Sequence, residues 1–206
     1  MTSAQHFELL VEEPSMEAFL KALLPRLLPQ DRTFQVHSFQ GKPDLLGKLG
    51  ARLRAYSAWL PANYRIVVVV DRDQEDCRLL KQRLEEISAN AGLRSRTATD
   101  DERWQVVNRI AIEELEAWYF GDWQAVREVY SRVSANVPNR QGFRGPDAIA
   151  GGTWEAFERV LQRHRYFSTG LRKIEAARKL GAEIDHTRST SRSFSVFCQA
   201  IVGATA

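Results

Sequence analysis

The chain has only two cysteines, Cys77 and Cys198, and neither belongs to a CxxC pair or a Cys/His cluster. That spacing implies neither a zinc site nor a disulfide framework. Histidine is also scarce: His6, His37, His164 and His186 are scattered along the chain, and none is assigned to catalysis. No apolar run approaches the roughly 20 residues that cross a bilayer. The N-terminus lacks a charged head followed by an apolar core, so no secretory signal is expected and a reducing cytoplasm is the expected location. Internal repeats and low-complexity tracts are absent. Charge of one sign is not in excess either: 29 basic residues face 26 acidic ones, for a net +3. Bulk charge therefore does not announce a nucleic-acid binder, and local distribution has to decide. At 206 residues, 44% hydrophobic and 27% charged, the chain can hold one good core, or a core with an appendage.

What the chain does have is the run Arg65-Ile66-Val67-Val68-Val69-Val70-Asp71-Arg72-Asp73. Consecutive β-branched apolar residues predict a strand buried on both faces, as inside a parallel sheet. The strand ends in two carboxylates two residues apart, which point the same way while the backbone stays extended. Ligands of open α/β sheets bind beyond the carboxyl ends of the strands. Two acids there suit a hard, oxygen-seeking cation. The plain alternative is a strand-to-turn junction, because Asp favours turns and caps.

Around that run the pattern alternates. Strands are expected at 7–12, 34–39, 65–70 and 106–112, with a short one at 94–99. Helices are expected after Pro14, over 45–60, over 75–89, and at the segment holding Glu113 to Trp118. Repeated βα units predict a mostly parallel sheet sandwiched by helices, with right-handed connections. After Trp123 the signals turn helical, near 123–132, 153–166, 170–180 and 192–203. A Gly- and Pro-rich loop over 137–152 separates the first of these from the rest. We divide the chain into an α/β core, 1–122, and a helical C-terminal region, 123–206, packed on it. Trp104, Trp118, Trp123 and Trp154 are expected to fill the core where the two meet.

Three acidic groups fall at strand ends: Glu12-Glu13, Asp71/Asp73 and Glu113/Glu114/Glu116. At one edge of one sheet they would line a pocket with carboxylates. Crowded like charges raise one another's pKa, and a divalent ion removes the conflict. Such an ion polarises a phosphoryl oxygen or generates a hydroxide nucleophile.

At this point the residues resemble a family. Glu12 after a first strand, then Asp71-Arg72-Asp73 after a later one, is similar to the Toprim domain of topoisomerases, primases and OLD-type nucleases. More closely, the chain resembles uncharacterised bacterial Toprim-like proteins, often encoded beside an AAA-type or SMC-like ATPase. The segments that carry the likeness are Val11 to Leu20, Gly41-Lys42, Val70 to Cys77, Glu114 to Trp118, and Ser191-Arg192-Ser193-Phe194. The resemblance implies a Toprim-like α/β fold and Mg²⁺ or Mn²⁺ as cofactor. It makes Glu12, Asp71 and Asp73 the catalytic and metal-holding residues, with Glu114 and Glu116 as further ligands. It implies a magnesium-dependent nuclease, with an ATPase partner and a role in defence against phage. Two positions depart from the pattern: Glu13 stands where glycine is usual, and Met16 where an acid is usual. Those departures favour the alternative of a non-catalytic interaction subunit with a Toprim shape. A receiver-like or phosphatase-like α/β protein fits less well, since its key aspartates would sit on or near strand one.

The basic residues concentrate late, from Arg159 to Arg192. Lys42, Arg172 and Lys173 are the candidates for contacting a DNA or RNA backbone, against the plain reading of solvated lysines and arginines.

Overall fold

The computed structural model describes residues 3–99 and 103–206. Four strands form one sheet: β1 (His6–Val11), β2 (Thr33–Ser38), β3 (Tyr64–Asp71) and β4 (Val106–Ala111), in the order β2-β1-β3-β4. All pairings are parallel. The helices between them are α1 (Pro14–Leu27), α2 (Lys42–Ser57) and α3 (Cys77–Asn90). Five more follow β4: α4 (Leu115–Gly121), α5 (Trp123–Val129), α6 (Thr153–Arg163), α7 (Lys173–Glu183) and α8 (Arg192–Thr205). This is an α/β architecture consistent with a Toprim-like fold.

Strand alternation divides the interior in two. Leu9, Val11, Val67, Val69 and Val107 point into a large core with α1, α4, α6 and α8. Leu10, Ile66, Val68 and Val70 point into a smaller core with α2 and α3. Ile66 through Val70 are fully buried, so the valine run is covered on both faces as its composition requires. Trp104, Trp118 and Trp123 are buried as expected, whereas Trp154 stays half-exposed. Trp118 packs against Phe194 and Phe197 of α8, with ring centroids 5.0 and 5.2 Å apart. Its indole N–H donates to Ser193 Oγ at 3.0 Å, and Asp147 accepts from both Ser191 and Ser193. The Ser-Arg-Ser-Phe segment thus ties the last helix to α4. Gly181 lets α7 lie directly on α1: a Cβ there would come 2.4 Å from the Phe19 carbonyl oxygen.

Three expectations change. The segment 94–99 is not a strand but a single bridge, Ser95 to Val106, followed by a turn in which Ser95 Oγ accepts from Ala98 N–H. The fourth helix starts at Leu115, with Glu113 and Glu114 outside it. Asp71 and Asp73 do not point the same way. β3 ends at Asp71, and Asp73 takes a left-handed φ of 52° in the turn beyond.

Candidate acidic site at the carboxyl edge of the sheet

The strand order reverses between β1 and β3, so the crossovers leave their shared carboxyl end in opposite directions. That is the topological switch point, where open α/β sheets bind ligands. Glu12 follows β1 and Asp71 ends β3. The two meet: Glu12 Oε2 accepts from the Asp71 backbone N–H at 3.2 Å. β4 brings Glu113 and Glu114 to the same edge, and the Asp73 N–H donates to the Glu113 carbonyl at 2.9 Å. Glu113 also has a left-handed φ, of 64°. Two acidic residues in this region, on neighbouring loops, hold backbone strain of about 1–2 kcal/mol each.

Asp71 is the centre of the arrangement. It is only 7% exposed, and its Oδ1 has no hydrogen-bond partner among the described residues. Burial first, then the charges of Glu12 and Glu116, push its carboxyl well above the ordinary range. Glu116, on the first turn of α4, is 3% exposed. Burial raises its pKa to about 7, although Lys173 opposes the rise. Glu12 is raised too, chiefly by burial. Tyr119 adds a buried hydroxyl without a partner among the described residues, held far from ionising by burial and by Glu116.

Cations answer this charge from two sides. Lys42 is not a solvated turn lysine. It is buried at the start of α2, its Nζ 2.6 Å from Asp73 and 3.0 Å from Glu75, and it donates to the Arg72 carbonyl. Burial opposes its charge, but those two carboxylates outweigh it and raise its pKa. Arg72 pairs with Glu113. Lys173 comes from the opposite side, on α7. Its ammonium lies 4.8 Å from the Trp154 ring centroid. Burial would lower its pKa, yet Glu116, Glu13, Glu114 and Asp71 together raise it.

The remaining candidates sort clearly. Glu114 Oε2 accepts from the Thr153 and Trp154 N–H groups and from the Thr153 hydroxyl, all at 2.9 Å, so it caps α6. Arg172 is exposed and pairs with Glu175 at 3.0 Å, three residues along α7. Glu13 has an extended backbone, φ −143°, so no glycine is needed there, and the Ser15 hydroxyl donates to its carboxylate. Met16 is buried in the larger core, and Glu17 turns away to Ser38 and Lys21. His6 and His37 both pair with Glu8, and His164 with the Val160 carbonyl. Among the described residues, no three His, Cys, Asp or Glu side chains converge as a ready metal cage. Sequence reasoning missed Tyr119 and the inward turn of Lys42 and Lys173. Nothing near Lys173 in the chain could have signalled it, because the acids that act on it lie far off in sequence, after β1, at the end of β3 and at the start of α4.

The family described as a domain of unknown function, DUF4276, matches over residues 11–202, and the chain belongs to it. No curated protein and no solved structure matches the chain.

Proposed function

We propose that the acidic cluster at the carboxyl edge of the sheet holds a divalent cation and that the chain cleaves phosphodiester bonds of DNA or RNA there, together with an ATPase partner. The observation that carries this reading is Asp71: a buried carboxylate with an unpartnered oxygen, ringed by other carboxylates, at the switch point of the sheet. A protein gains nothing in stability from such a cluster, whereas a hard cation needs it. The donor set fits magnesium. Mg²⁺ keeps several waters and takes one or two carboxylates plus substrate phosphates, so a three-residue cage is not required. Asp71 and Glu12 would hold the ion. When bound, it would polarise a phosphoryl oxygen and acidify a water.

The chain's own residues supply the rest. Glu116, with its pKa near 7, can hold or release a proton at neutral pH. The Lys173 ammonium, steadied over Trp154, offers positive charge to a phosphate on the α7 side. Resemblance to Toprim proteins encoded beside AAA- or SMC-like ATPases supports the partner and a place in phage defence.

The second reading is a Toprim-shaped interaction subunit without catalysis. One observation favours it: Lys42 already neutralises Asp73, the second acid of the DxD pair. Magnesium titration with melting curves, beside a nuclease assay with the partner present, separates the two. Mg²⁺ should raise the melting temperature of the wild type, and Asp71→Asn should abolish both that shift and metal-dependent cleavage. Equal shifts in both proteins would refute the site, and cleavage by Asp71→Asn would refute its catalytic role.

A further inference from the structure

In the parallel pairing with β3, odd-numbered residues of β4 turn their backbone groups inward: Ile66 N–H donates to the Gln105 carbonyl, and Arg72 N–H to the Ala111 carbonyl. Even-numbered residues face out. Val106 is covered, because it bonds Arg94 and Arg96. The Asn108 carbonyl is capped by Lys81 Nζ at 2.8 Å and by Arg109 Nη1 at 3.2 Å. Beyond these, the N–H of Asn108 and both backbone groups of Ile110 have no partner among the described residues. This stretch of edge is the floor of a groove of about 480 Å³ between α3 and α8.

The groove has three further properties. Its walls include Ile112 and the exposed Val196. Three cations line it: Lys81 pairs with Glu85, Arg109 feels the Glu85 charge without forming an ion pair among the described residues, and Arg192 has no carboxylate partner among them; Asp147 is occupied by Ser191 and Ser193. Arg109 is half-buried, and burial together with Arg96 brings its pKa down to about 10. Asn108 is 1% exposed; its amide donates to Glu85 and Ser88 of α3, and its Oδ1 has no partner among the described residues.

We propose that this open edge of β4 docks an acidic, extended segment of a partner protein as a fifth strand. Main-chain groups of such a segment match the free N–H and carbonyl of Ile110. Alternate side chains fall on the apolar walls, and carboxylates meet Arg109 and Arg192. A nucleic-acid strand offers no backbone ladder and has no use for the apolar walls. The inference is independent of the acidic cluster, which lies at the strand ends.

The test uses a short fluorescent peptide of alternating valine and glutamate, read by anisotropy and by amide hydrogen exchange at Asn108 and Ile110. Saturable binding with protection of those amides is expected. N-methylation at alternate peptide bonds should abolish it, and a valine–lysine peptide should not bind. Arg192→Glu, at an exposed position on the first turn of α8 where an acid suits the helix start, should leave folding intact and weaken the acidic peptide about fivefold; Arg109→Glu should weaken it more. No saturable binding, or binding indifferent to N-methylation or to peptide charge, overturns the proposal. So does a single-stranded RNA that binds where the peptide fails and is lost in Arg192→Glu, which would make the groove a polyanion site.

Discussion

Glu116 should make the metal-free protein less stable as pH rises through neutrality. In the unfolded chain it titrates near its ordinary 4.5; folded, it titrates at about 7. Between those values the folded state binds the extra proton, so stability falls as pH increases. The rise from 4.5 to about 7 corresponds to about 3 kcal/mol, at roughly 1.36 kcal/mol per pKa unit. At 3% exposure, solvent screening takes little from that figure. Asp71 is shifted in the same direction and adds to the slope. Lys173, raised above its ordinary value, stays charged through this window and adds no slope there. Urea denaturation in EDTA at pH 5, 6, 7 and 8 measures the effect. The wild type should lose stability across the series, and Glu116→Gln should lose about 3 kcal/mol less. At pH 8 that difference is worth on the order of 6–12 °C in melting temperature for a chain of this size. Saturating magnesium should flatten the wild-type slope, because an ion that binds only the folded state offsets the repulsion. A flat wild-type profile in EDTA, or a Glu116→Gln profile parallel to it, would refute the reasoning.

Two further outcomes test the packing and the charge on α7. Gly181→Ala should cost about 1–3 kcal/mol in denaturant unfolding, since its new methyl group meets the Phe19 backbone at the α1–α7 contact rather than a flexible side chain. Lys173→Ala should weaken binding to single-stranded nucleic acid and reduce the slope of log affinity against log salt by about 0.7, while Arg172→Glu, which faces out with Glu175, should change that slope little.

The sheet was legible because its signals are local. A run of β-branched residues reads as a buried strand whatever lies around it, and Ile66 to Val70 are buried on both faces. The weaker run at 94–99 failed because Ser95 closes a turn after one bridge. Acids at strand ends were legible for the same reason, and parallel topology carries Glu12, Asp71 and Glu113 to one edge. Side-chain direction was not legible. A period-two argument requires an extended backbone, and Asp73 leaves it at φ 52°. Whether Glu114 points at an ion or at a helix depends on where α6 begins, 39 residues later in the chain. Burial of Lys42 likewise depends on the turn after β3 that presents Asp73 and Glu75.

Lys42 is also where the enzyme and scaffold readings part most sharply. Its ammonium is a built-in counter-ion for the Asp73 side of the cluster, while Asp71 Oδ1 has no partner among the described residues. A scaffold needs that cation to offset repulsion between Glu12, Asp73 and Glu75, and has no use for metal. An enzyme needs it too, but the same charge repels an incoming divalent ion and holds its affinity down. Lys42→Met keeps the stem and removes the charge. In EDTA the variant should be destabilised under either reading, because the carboxylates lose their cation. With magnesium the readings diverge. If Asp71 and Glu12 hold the ion, removing the positive charge that acts on Glu12 should tighten magnesium on the order of tenfold even at a water-like effective dielectric, and more at a lower one. The melting temperature lost in EDTA should then return as magnesium is titrated, at lower concentrations than move the wild type. If the chain is a scaffold, magnesium should leave both proteins where EDTA left them, and the lost stability should return only when the carboxylates are removed as well, in Lys42→Met with Asp73→Asn.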